Sequence, residues 1–278
     1  MIEKMKITFT SLKSSMTALV ITLLCCSTVM AQYHRVNDIP YRQTGNDYAL
    51  ERCKLDVYYP DTLRDAPVVV WFHGGGLMAG SKDIPQELQQ SGYVVIGVNY
   101  RLLPKATIDE CIDDAAAAVA WAFHNAVQYH GSPSKVFVTG HSAGGYLTDL
   151  IGLDKHWLAA YGIDADSIAG LLPLSGQVIT HYNVRKLQDG RSPLDPTIDQ
   201  YAPLAHLRAD APPIVIISGD RELELYGRYE EQAYFWRMLR LVGHTDATLY
   251  ELQGYPHGEM HHPAFYIVKQ QIRRILSR

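Results

Sequence analysis

Residues 136–144 read Val-Phe-Val-Thr-Gly-His-Ser-Ala-Gly, an apolar run leading straight into a serine flanked by small residues. The pattern G-x-S-x-G places a serine hydroxyl in open space only when a strand precedes it and a helix follows, joined by a sharp turn. Such a turn holds the backbone in a sparsely populated conformation and leaves no room for side chains at the flanking positions. Gly140 and Gly144 meet that demand, and Ala143-Gly144-Gly145-Tyr146-Leu147 can open the following helix. Ser142 is the candidate nucleophile, and the rest of the chain must supply a sheet for its turn to sit on.

That sheet is legible. Residues 54–59 alternate like a strand and stop at Pro60-Asp61, while 67–72 and 93–98 are continuous apolar runs, as in strands covered on both faces. Further strands are expected at 168–174, 214–218 and 248–252. Helices are expected at 84–91, 109–130, 228–242 and 263–276, the second with four consecutive alanines and Gly131 as its stop. Strands alternating with helices imply a mostly parallel sheet with helices on both faces. Ligands bind such sheets at the C-terminal strand ends, and every candidate residue below follows a strand. Residues 177–211 lack strong periodicity and carry Pro193, Pro196 and Pro203, so they read as a small loop-rich lid.

With 278 residues, 47% of them hydrophobic, the chain can bury a full core. Its start differs from the rest: Lys4, Lys6 and Lys13 precede an apolar stretch from Met16 to Met30, and Val29-Met30-Ala31 fits a cleavage signal. Residues 1–31 read as a secretory signal peptide, leaving 32–278 as the catalytic domain in a secreted or periplasmic protein. The stretch is short for a membrane span, and Leu24 is a poor residue to precede a lipidated Cys25 or Cys26. Removing it leaves 22 basic against 28 acidic side chains, a surface that disfavours nucleic acid and anionic membranes. Cys53 and Cys111 then remain, too few for a disulfide scaffold or a metal site, and they are expected not to pair.

A nucleophilic serine needs a base, and the base needs an orienting acid. His257 follows the last expected strand through Gln253-Gly254-Tyr255-Pro256 and is the candidate base. His141, next to Ser142, is expected to turn its ring away from the hydroxyl and pack. Glu259, His261 and His262 lie near His257, but Gly258 and Pro263 mark a loop rather than the i, i+4 helical spacing of zinc pairs. No metal and no cofactor are expected. After the strand at 214–218 comes Gly219-Asp220-Arg221-Glu222, where the third residue past the small one is Glu222, the selected acid. Asp220 is assigned to capping turn amides and stands as the alternative acid, while Glu224 lies too far along to be favoured. His73-Gly74-Gly75-Gly76 follows the strand at 67–72, and its glycines let backbone amides approach an oxyanion. Gly75 and Gly76, with the amide of Ala143, are the candidate oxyanion hole.

His73-Gly74-Gly75-Gly76, Asn99-Tyr100-Arg101-Leu102 with Pro104, Gly140-His141-Ser142-Ala143-Gly144-Gly145 and Tyr255-Pro256-His257-Gly258 occur in that order. Together they resemble the α/β-hydrolase superfamily, in particular hormone-sensitive-lipase-like esterases and bacterial feruloyl and acetyl esterases, over about residues 40–278. The resemblance implies an eight-stranded mostly parallel sheet and ester hydrolysis through an acyl-enzyme without a cofactor. The chain departs from it in having little sequence before its first strand, which implies an open site. It departs again in a glutamate where aspartate is usual. The substrate expected by analogy is an acetyl or hydroxycinnamoyl ester, free or linked to plant polysaccharide. An amidase, arylformamidase or peptidase using the same three side chains is the alternative.

Overall fold

Valines in succession have stiff side chains that suit the pleated surface of a strand, and Pro67-Val68-Val69-Val70 begins the middle of the sheet. The computed structural model describes residues 32–278; the expected signal segment 1–31 lies outside the described residues. In chain order the elements are β1 (Tyr33–Pro40), α1 (Asp47–Arg52), β2 (Lys54–Pro60), β3 (Ala66–Phe72), β4 (Val94–Val98), α2 (Ile108–Asn125), β5 (Gly131–His141), α3 (Ala143–Leu153) and α4 (Lys155–Ala159). Then follow β6 (Gly170–Leu174), α5 (Tyr182–Asp189), β7 (Ile214–Ser218), α6 (Arg228–Leu241), β8 (Ala247–Glu251) and α7 (His261–Leu276).

The eight strands form one sheet in the order β1-β2-β4-β3-β5-β6-β7-β8. β1 and β2 pair antiparallel, as do β2 and β4, and all other neighbours run parallel. This is the α/β-hydrolase fold. Strand alternation divides the core in two. Val68, Val70 and Phe72 share a cluster with Ala115 of α2, Leu147 of α3 and Phe235 of α6. Val69 and Trp71 face the other way, with Phe265, Val268 and Ile272 of α7.

The departures from the sequence reading have physical causes. β1 was not expected because nearly all its residues are exposed, so it shows no apolar alternation. The helix expected at 84–91 is only a 3₁₀ turn over Gln86–Leu88, with Leu88 its one buried residue. The long helix stops at Asn125 and tightens into a 3₁₀ turn over Ala126–Tyr129. α5 arises inside the segment expected to be loop. Cys53 and Cys111 are both free and buried. Among the described residues no helix is long and apolar enough to cross a membrane.

One buried ion-pair group ties the loop after β4 to α2. Asp114, fully buried, accepts hydrogen bonds from the Arg101 amide at 3.0 Å, from Arg101 Nε at 2.7 Å and Nη2 at 2.8 Å, and from Arg42 Nε at 2.6 Å. Removing one partner of such a group strands buried charge. Asp114→Ala is therefore expected to lose about 3–5 kcal/mol of stability, measured as a lowered urea midpoint at unchanged slope; a loss below ~1 kcal/mol would show the arginines finding water instead.

Candidate active site

β5 delivers Ser142 at its C-terminal end, and the residue stands at φ 56°, ψ −114° as the entry to α3. This strained turn is held from both sides. The Ser142 amide donates to the carbonyl of Leu174 at the end of β6, 2.8 Å away. Gly144 packs so closely on β3 that a Cβ there would lie 2.1 Å from the Phe72 carbonyl oxygen. Only glycine fits, and the contact fixes the first turn of α3 beneath the serine.

His257 arrives from the loop between β8 and α7. Its Nε2 accepts the hydroxyl of Ser142 at 2.9 Å, and its Nδ1–H donates to Oε2 of Glu224 at 2.7 Å. The carboxylate against His257 is thus not that of Glu222, the residue selected from spacing, nor that of Asp220. Asp220 folds its own loop, accepting from the Glu222 amide at 2.9 Å and the Gly254 amide at 2.6 Å. That turn leaves Glu222 exposed and brings the chain round so that Glu224, two residues later, points back into the protein. Its side chain is 1% exposed, and Oε1 accepts from the Gly219 amide at 2.9 Å and from the Ser175 hydroxyl at 2.6 Å. Burial acts to raise the Glu224 carboxyl, but the hydrogen bonds from His257, Ser175 and Gly219 outweigh it and hold the group at about 2.

The glycine loop is built by its neighbours. His73 is buried and stacked on Tyr100 with ring centroids 4.5 Å apart, and the Tyr100 hydroxyl donates to the His73 carbonyl at 2.9 Å. Burial pushes the His73 imidazole down to about 4. Gly75 and Gly76 have φ of 106° and 64°, conformations open to glycine, and neither amide bonds to another described residue. Ala143 opens α3 directly after the serine. Nothing in the local sequence signals what packs against this loop. Asn183 Nδ2 donates to the Gly76 carbonyl at 2.7 Å, and the Tyr182 hydroxyl lies against the same glycine. Tyr182 in turn meets Tyr226 edge-on, centroids 5.5 Å apart. Tyr182 and Asn183 stand on the eight-residue α5, and Tyr226 lies in the loop that leads into α6.

His141 turns away from the serine. Its Nε2–H donates to the His257 carbonyl at 2.8 Å, and burial, then the neighbouring His257 and His261, push its imidazole down to about 3. It pins the base-bearing loop as a neutral ring. His262 reaches Glu87 at 2.5 Å, and among the described residues no group of three or more His, Cys, Asp or Glu is arranged to hold a metal ion.

Residues 55–169 match the BD-FAE family model. The carboxylesterase NlhH of Mycobacterium tuberculosis is 37% identical over 119 residues, 41% of this chain and 37% of that protein. The probable carboxylic ester hydrolase LipM of the same organism is 26% identical over 219 residues, 69% of this chain and 49% of that protein. The chain spans less than half the length of either relative. Among solved structures, a truncated carbohydrate esterase from gut microbiota has a TM-score of 0.72 at 18% identity, covering 91% of this chain and 99% of that one.

The lowered Glu224 carboxyl has a consequence for stability. A carboxyl moved from 4.5 to about 2 on folding adds stability that is complete above the higher value and is lost as pH falls through the lower. Glu224→Gln is expected to melt below the wild type at pH 7, with the gap narrowing between pH 4.5 and 2. Thermal melts across that range check this; a gap independent of pH would contradict it.

Proposed function

We propose that this chain, built on the α/β-hydrolase fold, is a serine carboxylesterase. The observation that carries the reading is the continuous relay of Ser142 Oγ, His257 and Glu224 at 2.9 and 2.7 Å, beside a glycine loop whose Gly74 packs against Ser142. His257 Nε2 takes the Ser142 proton as Oγ attacks the ester carbonyl. Glu224 keeps the proton on Nδ1, so that Nε2 is the basic nitrogen, and steadies the imidazolium that forms. The amides of Gly75, Gly76 and Ala143 receive the oxyanion, each such donor contributing about 3–4 kcal/mol of barrier lowering. His257 then gives its proton to the leaving alcohol. Water, deprotonated by the same ring, releases the acid and restores Ser142.

The proposed substrate is an acetyl or hydroxycinnamoyl ester, including esters borne on plant polysaccharide. In support, Tyr182 lies against Gly76 and meets the ring of Tyr226 edge-on. Tyr226 also lines an apolar cavity of 370 Å³ with Leu194, Ile198 and Tyr234. The rings suit a flat aromatic acyl group, which stacks or meets rings edge-on favourably. Export is proposed as well, on the basic, apolar and small-residue order of residues 4–31; secreted protein should begin at Gln32.

Activity on p-nitrophenyl acetate, methyl ferulate and a formylated aromatic amine tests the reading. Ser142→Ala should abolish ester turnover. Glu224→Gln should lower kcat by about 10³–10⁴-fold, the scale of losing a triad carboxylate, while Glu222→Gln stays within about two-fold of wild type, as suits an exposed side chain. Undiminished turnover by Ser142→Ala, or faster cleavage of the amide than of the esters, would sink the proposal.

A further inference from the structure

Glutamate has one more rotatable bond than aspartate, so a glutamate that must present one oxygen to an imidazole needs a stop for the other. Ser175 stands where that stop would be. It directly follows β6 and is fully buried. Its hydroxyl donates to Glu224 Oε1 at 2.6 Å, and the same oxygen lies 3.0 Å from His257 Nδ1. It therefore touches both partners of the charged contact behind Ser142.

The backbone at Ser175 is held in an unfavourable shape to achieve this. Its φ is 48°, in the left-handed region that costs a non-glycine residue on the order of 1–2 kcal/mol, and such strain persists where the surroundings over-determine it. Here they do. The Ser175 amide donates to the Ile217 carbonyl at 2.7 Å. Its carbonyl accepts from Nη1 of the buried Arg228, and the next carbonyl, of Gly176, accepts from Gln232 Nε2 at 3.0 Å. Arg228 and Gln232 both belong to α6, the helix into which the Glu224 loop runs. One continuous stretch of chain thus supplies the acid and clamps the serine that fixes it.

We propose that Ser175 is a positioning residue for acyl transfer: its hydroxyl locks the Glu224 carboxylate so that Oε2 stays on the Nδ1–H of His257 and Nε2 stays on Ser142. The inference rests on the triad reading above. Ser175 shares the holding of Oε1 with the Gly219 amide, 2.9 Å away. Without the hydroxyl one donor remains on that oxygen, the carboxylate swings, and the imidazole loses its fixed angle. Misplacement of about 1 Å at such a site costs on the order of 10²-fold in rate.

The test compares Ser175→Gly, Ser175→Ala and Ser175→Cys with wild type and Ser142→Ala on p-nitrophenyl acetate. Glycine adopts the observed φ without strain, so Ser175→Gly removes the hydroxyl while easing the backbone. Glycine and alanine variants are expected to lose about 10–100-fold in kcat with KM within about three-fold, and the cysteine variant, a poorer donor, to fall between. The downfield proton resonance of His257 Nδ1–H should move in each. Wild-type kcat in Ser175→Gly would overturn the proposal by showing that only the backbone matters, as would an unmoved resonance. Should an alanine or cysteine variant fail to fold, the glycine variant still decides. Full activity in Ser142→Ala would instead remove the triad reading beneath it.

Discussion

The approach of Gly144 to the carbonyl of Phe72 is the contact on which the active site depends. It joins the start of α3 to the end of β3 with no side chain between, and the Ser142 amide ties the same turn to β6. Three adjacent parallel strands, β3, β5 and β6, therefore end on one strained residue. Each also carries a part of the proposed site just beyond its end: the glycine loop after β3, the serine after β5, and Ser175 after β6. Strain at Ser142 is sustained because the surrounding backbone leaves no relaxed alternative.

Around this frame, burial keeps the unwanted charges out. His73 in the glycine loop and His141 next to Ser142 are pushed down to about 4 and 3 by desolvation, so at neutral pH they act as hydrogen-bonding rings and not as cations. Glu224 is buried too, yet its hydrogen bonds keep it ionised. The Glu224 charge thus faces Nδ1 of His257, where it would steady an imidazolium in the proposed reaction. The arginine of the Asn99-Tyr100-Arg101 motif does separate work, neutralising Asp114 and so anchoring the loop whose Tyr100 supports His73.

The parts of this arrangement written in local sequence were readable there. The elbow, the glycine turn and the alternation of strands with helices rest on small residues or apolar runs of fixed spacing, and the structure has a strand before Ser142, a helix after it, His73–Gly76 directly after β3, and a mostly parallel sheet. Glu224 was not readable by counting from β7. The turn that Asp220 closes consumes two extra residues, and only the fold shows that a longer side chain reaches back from beyond it. Ser175 gave no signal at all, since a lone serine after a strand is ordinary. β1 and α5 gave little signal for different reasons: β1 is mostly exposed, and α5 is eight residues with Tyr182, Val184 and Leu187 as its apolar positions, too short a run for its period to stand out.

The central claim is that Ser142 becomes acylated by way of His257. Its most direct measurement is intact-mass and peptide mass spectrometry of protein quenched during the first turnover of p-nitrophenyl acetate. The account predicts one acetyl group per molecule, on the peptide carrying Ser142, formed with a stoichiometric burst of nitrophenol and absent in His257→Ala. Steady turnover with no adduct, or with an adduct on another residue, would contradict it.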